Sequence, residues 1–302
     1  MRSGHIGVRC DRLQRNLRAR RASFFGIGFW FNICECSETR RPIARFWSGS
    51  SGRSSRSEAS LAETIHPFIR ALEQYDVLNE AERAALTALP LQIRIFGKNA
   101  EIVREGSRPT HSCLLLEGFA ARAQVLSDGR RQITNLHIPG DFVDLHGLLI
   151  KRMDHSVIAF VDCKMAFVPH DAVRALIDEH RHLSRLFWLT TLVDAAIDRA
   201  WITSLGRRPA IDHLAHLLCE LYVRLRGRGL VSGNSFAFGA TQTELGDVLG
   251  MSTVHVNRTL QDLRKLGLVE WEGGRVTIID FERLAERAEF DPAYLNQWIE
   301  AR

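Results

Sequence analysis

Residues 241–260 read TQTELGDVLGMSTVHVNRTL, and this stretch decides the fold. Thr241-Gln-Thr-Glu244 has the spacing of a capping box, in which a Thr and a Glu three residues on satisfy each other's free backbone N–H groups. It predicts a short helix over residues 242–249. Gly250 then permits the left-handed backbone that a tight helix–helix connection needs. Ser252 can cap a second helix, which runs to Leu266 before Gly267 stops it. Leu245, Val248 and Leu249 of the first helix can pack on Val256 and Leu260 of the second. Two short helices joined by a tight turn form a helix-turn-helix unit.

The exposed face of the second helix would carry Thr253, Val254, His255, Asn257 and Arg258. Arg can give two parallel hydrogen bonds to guanine O6 and N7, and Asn can do the same for adenine. The capped helix N-termini at Thr241 and Ser252 can accept phosphates on free backbone N–H groups. Beyond Gly267, two apolar segments, 268–271 and 275–279, flank Glu272-Gly-Gly274 and predict a hairpin wing. Double-stranded DNA is the partner these features predict.

Upstream, a helix is expected over 210–226, ended by Gly227, Gly229 and Gly233. From Leu183 onward, Leu186, Leu189, Val193, Ala196 and Ala200 fall at alternating three- and four-residue steps. That is the pattern of a coiled-coil seam and predicts a homodimer helix; an amphipathic helix packing on its own domain would share it. Residues 91–169 change period. Short apolar strands are separated by Gly97, Gly106, Gly118, Asp128-Gly129, Pro139-Gly140 and Gly147, as in a β-barrel or jelly roll. Asp128-Gly129 reads as the turn of a hairpin. Residues 66–89 carry apolar residues at helical spacing, with Asn79 as an N-cap candidate.

The chain of 302 residues has 45% hydrophobic and 25% charged residues, the profile of a folded globular protein. Its net charge of +5 resembles a nucleic-acid signal, but the distribution removes it. Residues 1–57 hold 12 Arg against three acids, a net of +9, and the remainder holds 28 basic and 32 acidic residues, a net of −4. Residues 1–60 also contain the Ser/Gly/Arg run SGSSGRSSRSEAS. They are expected to be a disordered tail, a functional extension, or translated sequence ahead of the native start. The six Cys (10, 34, 36, 113, 163 and 219) have no C-x-x-C spacing, which suggests free thiols in a reducing cytoplasm. No stretch approaches the roughly 20 apolar residues that span a membrane.

Residues 61–278 resemble the Crp/Fnr family of bacterial transcription regulators. The resemblance is carried by 131–142 (RQITNLHIPGDF), 206–225 (GRRPAIDHLAHLLCELYVRL) and the helix-turn-helix, with Gly246, Gly250 and Val256 at the expected small and apolar positions. It implies an α+β chain: a jelly-roll sensor domain of cyclic-nucleotide-binding type (61–180), a dimerisation helix (181–205) and a winged helix-turn-helix domain (206–302). It also implies a homodimer on an inverted repeat, with RNA polymerase as a further partner. Arg258 matches the family's guanine-reading Arg, whereas Val254 stands where many members have Glu.

The sensor departs from the family. The Glu and Arg-Ser pair of cAMP-binding members are replaced by Asp144-Leu145-His146 and His155-Ser156, which removes the cation for a cyclic phosphate. Cys10, Cys34 and Cys36 lack the spacing of iron–sulfur members. Neither effector is expected, and the effector is left open, with a thiol response through Cys113 or Cys163 as one candidate. His111, His137, His146 and His155 contain no H-x-H pair and read as scattered; Asp141 and Asp144 read as turn and loop residues. No cofactor, metal or catalytic residue is expected. The alternative is a cupin-like metal-binding or catalytic barrel fused to a DNA-binding domain.

Overall fold

The computed structural model describes residues 67–300, and seven short strands lie between residues 92 and 169. They are β1 (Gln92–Phe96), β2 (Glu101–Val103), β3 (His111–Glu117), β4 (Ala120–Val125), β5 (Arg131–His137), β6 (Ser156–Ala159) and β7 (Cys163–Pro169). They pair antiparallel in two sheets, ordered β1-β7-β3 and β2-β6-β4-β5. Asp128 and Gly129 do turn the β4–β5 hairpin, with Val125 opposite Arg131 and Gly129 at φ +83°. The expectations for the 1–60 tail, including Cys10, Cys34 and Cys36, lie outside the described residues.

Alternation along β3 sorts two cores. Cys113 and Leu115 point between the sheets, where they meet Val143, Val157, Ala159, Met165 and Phe167. Leu114 and Leu116 point the other way, into a core shared with the helices. Segment 138–143 runs along the edge of β3. The Leu115 N–H donates to the Asp141 carbonyl at 2.9 Å, and the Val143 N–H donates to the Cys113 carbonyl at 2.9 Å.

Helical structure at 66–89 is broken rather than continuous. A turn of helix over 67–72 ends, and Asn79 starts α1 (Glu80–Thr87) with a full capping box to Glu82. Two further helices follow the barrel, α2 (His170–Glu179) and α3 (Arg181–Arg207). At 27 residues α3 is about 40 Å long.

The seam on α3 needs correcting. Leu186 and Val193 are turned into the chain's own core together with Leu183, Phe187, Ile197 and Trp201. Leu189, Ala196 and Ala200 are half-buried. The exposed apolar row is instead Trp188, Leu192, Ile202 and Leu205. A helix that rests on a barrel and keeps a second apolar face has two stripes, and the more regular one in sequence is the inward one.

The C-terminal part is α4 (Ala210–Gly227), β8 (Ser235–Ala237), α5 (Gln242–Leu249), α6 (Thr253–Lys265), β9 (Val269–Glu272), β10 (Arg275–Ile278) and α7 (Phe281–Ala288). Its sheet has the order β8-β10-β9, so the hairpin read from sequence gains a third strand. Phe238 joins it to the barrel, with ring centroids 5.1 Å from Phe119 and 5.8 Å from Phe160. No helix among the described residues is long and apolar enough to cross a membrane.

Candidate nucleic-acid interface

The local signals at 241–252 form the expected geometry. The Thr241 side chain accepts from the Glu244 N–H at 3.3 Å, and a Glu244 carboxylate oxygen accepts the Thr241 N–H at 2.8 Å. Gly250 ends α5 in the left-handed region at φ +64°. Gly246 is required for a different reason: a Cβ there would lie 2.6 Å from the Met251 carbonyl oxygen, so the turn could not close against α5. Ser252 caps α6 by accepting the His255 N–H at 3.3 Å. Leu245, Val248, Leu249, Val256, Leu260 and Leu263 are buried between the helices and α4.

The candidate reading face divides as follows. Thr253, Val254, Asn257 and Arg258 are exposed, Val254 at 81%, and His255 is half-buried. Arg258 has no hydrogen bond or ion pair among the described residues, so its guanidinium is free to meet a base edge or a phosphate. Asn257 is not free: its side-chain amide donates to Gln242 Oε1 at 3.0 Å. Gln242, one position into α5, is thereby a neighbour of the reading face that the sequence pattern did not single out. The wing turns on Gly273 and Gly274, both with positive φ as a two-residue hairpin turn requires.

The barrel grips this unit from behind. Arg131 forks onto Asp247 at 2.7 and 2.9 Å, and the Gln132 amide donates to the Val248 carbonyl at 3.2 Å. Lys98 reaches the buried Glu244 at 2.9 Å. A second link is internal. Asp141 does lie in the turn after β5, and its side chain is also the centre of a buried charge network. Its two oxygens accept from Arg224 at 3.1 Å and Arg228 at 2.6 Å. Arg224 also donates to Glu220 at 3.1 Å, and Glu220 accepts from Trp201 at 3.0 Å and Tyr294 at 2.8 Å. Burial alone would raise the Asp141 pKa, but Arg228 and Arg224 outweigh it and hold it at about 2. Gly140 admits Arg228: a Cβ there would meet the Pro67 carbonyl at 2.4 Å.

Between barrel and α3 lies a cavity of about 350 Å³. Arg122, His146, Asp154 and His155 line it from the barrel, and Thr190, Asp194 and Asp198 from α3. Arg122 is committed, at 2.7 Å to Asp194 and 3.9 Å to Asp198, so it offers no unpaired cation for a phosphate. His146 and His155 are brought together, rings 5.1 Å apart, with Asp154 beside them. His111 and His137 stand apart from that cluster. Asp144 is also buried, accepts the Cys113 N–H at 2.6 Å, and is pushed up to about 7 by burial. Burial raises the Cys113 thiol well above its ordinary range, and the Cys163 thiol to about 11. Both stay protonated at neutral pH, which speaks against an easily oxidised thiolate.

A barrel with an internal cavity, a long helix and a capped helix-turn-helix with a wing define a DNA-binding regulator with a sensor domain. The family model for the cyclic nucleotide-binding domain matches residues 93–180, and that for the Crp-like helix-turn-helix domain matches residues 212–287. The chain belongs to the Crp/Fnr family of transcription regulators. It is 28% identical over 202 residues to the transcriptional activator FnrL of Cereibacter sphaeroides, covering 66% of this chain and 81% of the relative. It is 25% identical over 224 residues to the transcriptional activator Anr of Pseudomonas aeruginosa, covering 74% and 88%. Among solved structures, FixK2 of Bradyrhizobium japonicum superposes with a TM-score of 0.57 at 22% identity, over 66% of this chain and 97% of that one. These findings favour the regulator over the barrel enzyme.

Proposed function

We propose that the chain works as a homodimer that reads an inverted repeat in double-stranded DNA, with no catalytic activity of its own. It would act in the cytoplasm, with RNA polymerase as a further partner and a small-molecule or ionic effector in the cavity. The observation that carries this reading is the exposed N-terminal half of α6, where Arg258 stands without an internal partner. Thr253, Val254 and His255 share that face, and Asn257 joins it on leaving Gln242. Thr241 and Ser252 place helix N-termini where phosphates run. Val254 would contact a thymine methyl, where a Glu would accept from cytosine.

The dimer rests on α3. Trp188, Leu192 and Ile202 expose 68%, 52% and 68% of their surfaces in one helical row. Covering such a row with the same helix of a second copy removes it from water, and the half-buried Leu189, Ala196 and Ala200 would flank the contact. Two α6 helices would then sit about 34 Å apart, one turn of DNA. Selection of binding sites from a pool of random duplexes tests this. An enriched inverted repeat with half-sites one turn apart is expected; a single unpaired half-site, or no enrichment, would contradict it.

A further inference from the structure

We propose that His146, Asp154 and His155 form a binding site for a divalent first-row transition-metal ion at the mouth of the barrel cavity. One ligating atom from each residue lies within 4.8 Å of the others, a spread that one ion can gather with small side-chain rotations. The residues come from two places. His146 sits in the short 3-10 turn Leu145–Leu148, fixed behind β3, and Asp154 and His155 lead directly into β6.

Three observations point to a cation. First, the Nε2 atoms of His146 and His155 are buried and have no hydrogen-bond partner among the described residues. A buried ring nitrogen without a partner costs stability unless something accepts from it or binds it. Secondly, His155 Nδ1 lies 2.9 Å from Asp154 Oδ1. That contact holds the His155 ring and the Asp154 carboxylate side by side at the cluster, and Asp154 would exchange it for the ion on binding. Thirdly, the charges around the cluster sum to negative. Four carboxylates, Asp141, Asp154, Asp194 and Asp198, line the cavity against the three guanidinium groups of Arg122, Arg224 and Arg228. Each of these guanidinium groups is already paired, Arg122 with Asp194 and Asp198 and Arg224 and Arg228 with Asp141, so none is left for an anionic ligand.

Two nitrogens and one carboxylate oxygen suit zinc, iron, cobalt or nickel better than magnesium or calcium, which prefer oxygen alone. Three protein ligands leave at least one coordination position, and here it faces the cavity and α3. Asp154 is exposed and gives the ion a route in from solvent.

The test uses the full chain without an affinity tag, stripped with a chelator and titrated with Co(II). One equivalent per chain is expected, with visible ligand-field absorption and without an intense thiolate-to-cobalt band in the near ultraviolet. His146→Gln and His155→Gln should each weaken binding at least about 100-fold, and Asp154→Asn, on an exposed side chain that does not hold the fold, at least about tenfold. His111→Gln, outside the cluster, should change nothing. Circular dichroism confirms that each variant is folded; if a histidine variant is not, Asp154→Asn carries the test. Failure of Co(II) to bind stoichiometrically, binding undiminished in a folded variant of any of the three residues, or a thiolate band would overturn the site. None of these outcomes depends on DNA binding.

Discussion

Asp141→Asn removes one negative charge from the buried network and keeps the shape of the side chain. Its neighbours Arg224 and Arg228 are 4% and 7% exposed, so neither guanidinium can turn to water for compensation. Losing one partner of such a buried pair costs about 3–5 kcal/mol. The pKa gives an independent lower figure. The folded value of about 2 against an ordinary 3.8 corresponds to about 2 kcal/mol of stabilisation in the charged form. The sign follows from the lowered folded pKa: the contribution is complete above the ordinary carboxylate value and is lost as pH falls towards 2. About half of it should be gone by pH 3. Urea unfolding of both proteins, followed by circular dichroism, gives the difference at each pH. A destabilisation of about 2–5 kcal/mol near pH 7 is expected, shrinking by about 1 kcal/mol at pH 3, because only the native side chain titrates. A difference under about 1 kcal/mol at neutral pH, or one that does not change with pH, would refute the claim that this carboxylate holds the barrel to α4.

Four other outcomes are expected. Asp144 behaves oppositely to Asp141, because burial raises its folded pKa to about 7: its stabilising contribution is complete below 3.8 and lost on rising through 7. Asp144→Asn keeps the acceptor for the Cys113 N–H, so its stability relative to the parent should improve by about 2 kcal/mol between pH 5.5 and pH 8 in urea titrations. Gly246→Ala should abolish specific DNA binding and lower the unfolding midpoint, because its Cβ meets a backbone oxygen that cannot yield; unchanged binding would mean that the turn is looser than described. Arg131→Ala frees Asp247 and loosens the barrel's grip on α5, which protease digestion or hydrogen exchange in 242–249 should register. Trp188→Glu with Leu192→Glu should convert a dimer into a monomer by sedimentation, with specific DNA affinity falling at least about 100-fold as the second half-site is lost.

What was legible in the sequence was local. Thr241 and Glu244, Ser252 and Gly250 act on residues within a turn of themselves, so their spacing alone placed α5, α6 and the connection. Asp128-Gly129 and Gly273-Gly274 announced hairpins for the same reason. What was hidden depends on partners far along the chain. Asp141 meets Arg224 and Arg228 more than 80 positions away, so it read as a turn residue. β8 has only three residues and pairs across 40 positions with β10. His146 and His155 belong to different segments that only the barrel brings together, so a search for H-x-H spacing passed over them. On α3 the regular three- and four-residue spacing picked out Leu186 and Val193, which pack inward, because two apolar stripes overlap in one helix.

The reading of DNA by α6 is tested most directly by comparing the sites that the native chain and Arg258→Ala enrich from one random duplex pool. The native chain should select an inverted repeat with a guanine at a fixed position in each half-site. Arg258→Ala should keep the repeat and its spacing, lose the preference at that one base pair, and bind the native site about 1–3 kcal/mol more weakly. An unchanged preference at every position, or an equal loss of affinity on all sequences, would show that Arg258 does not read a base.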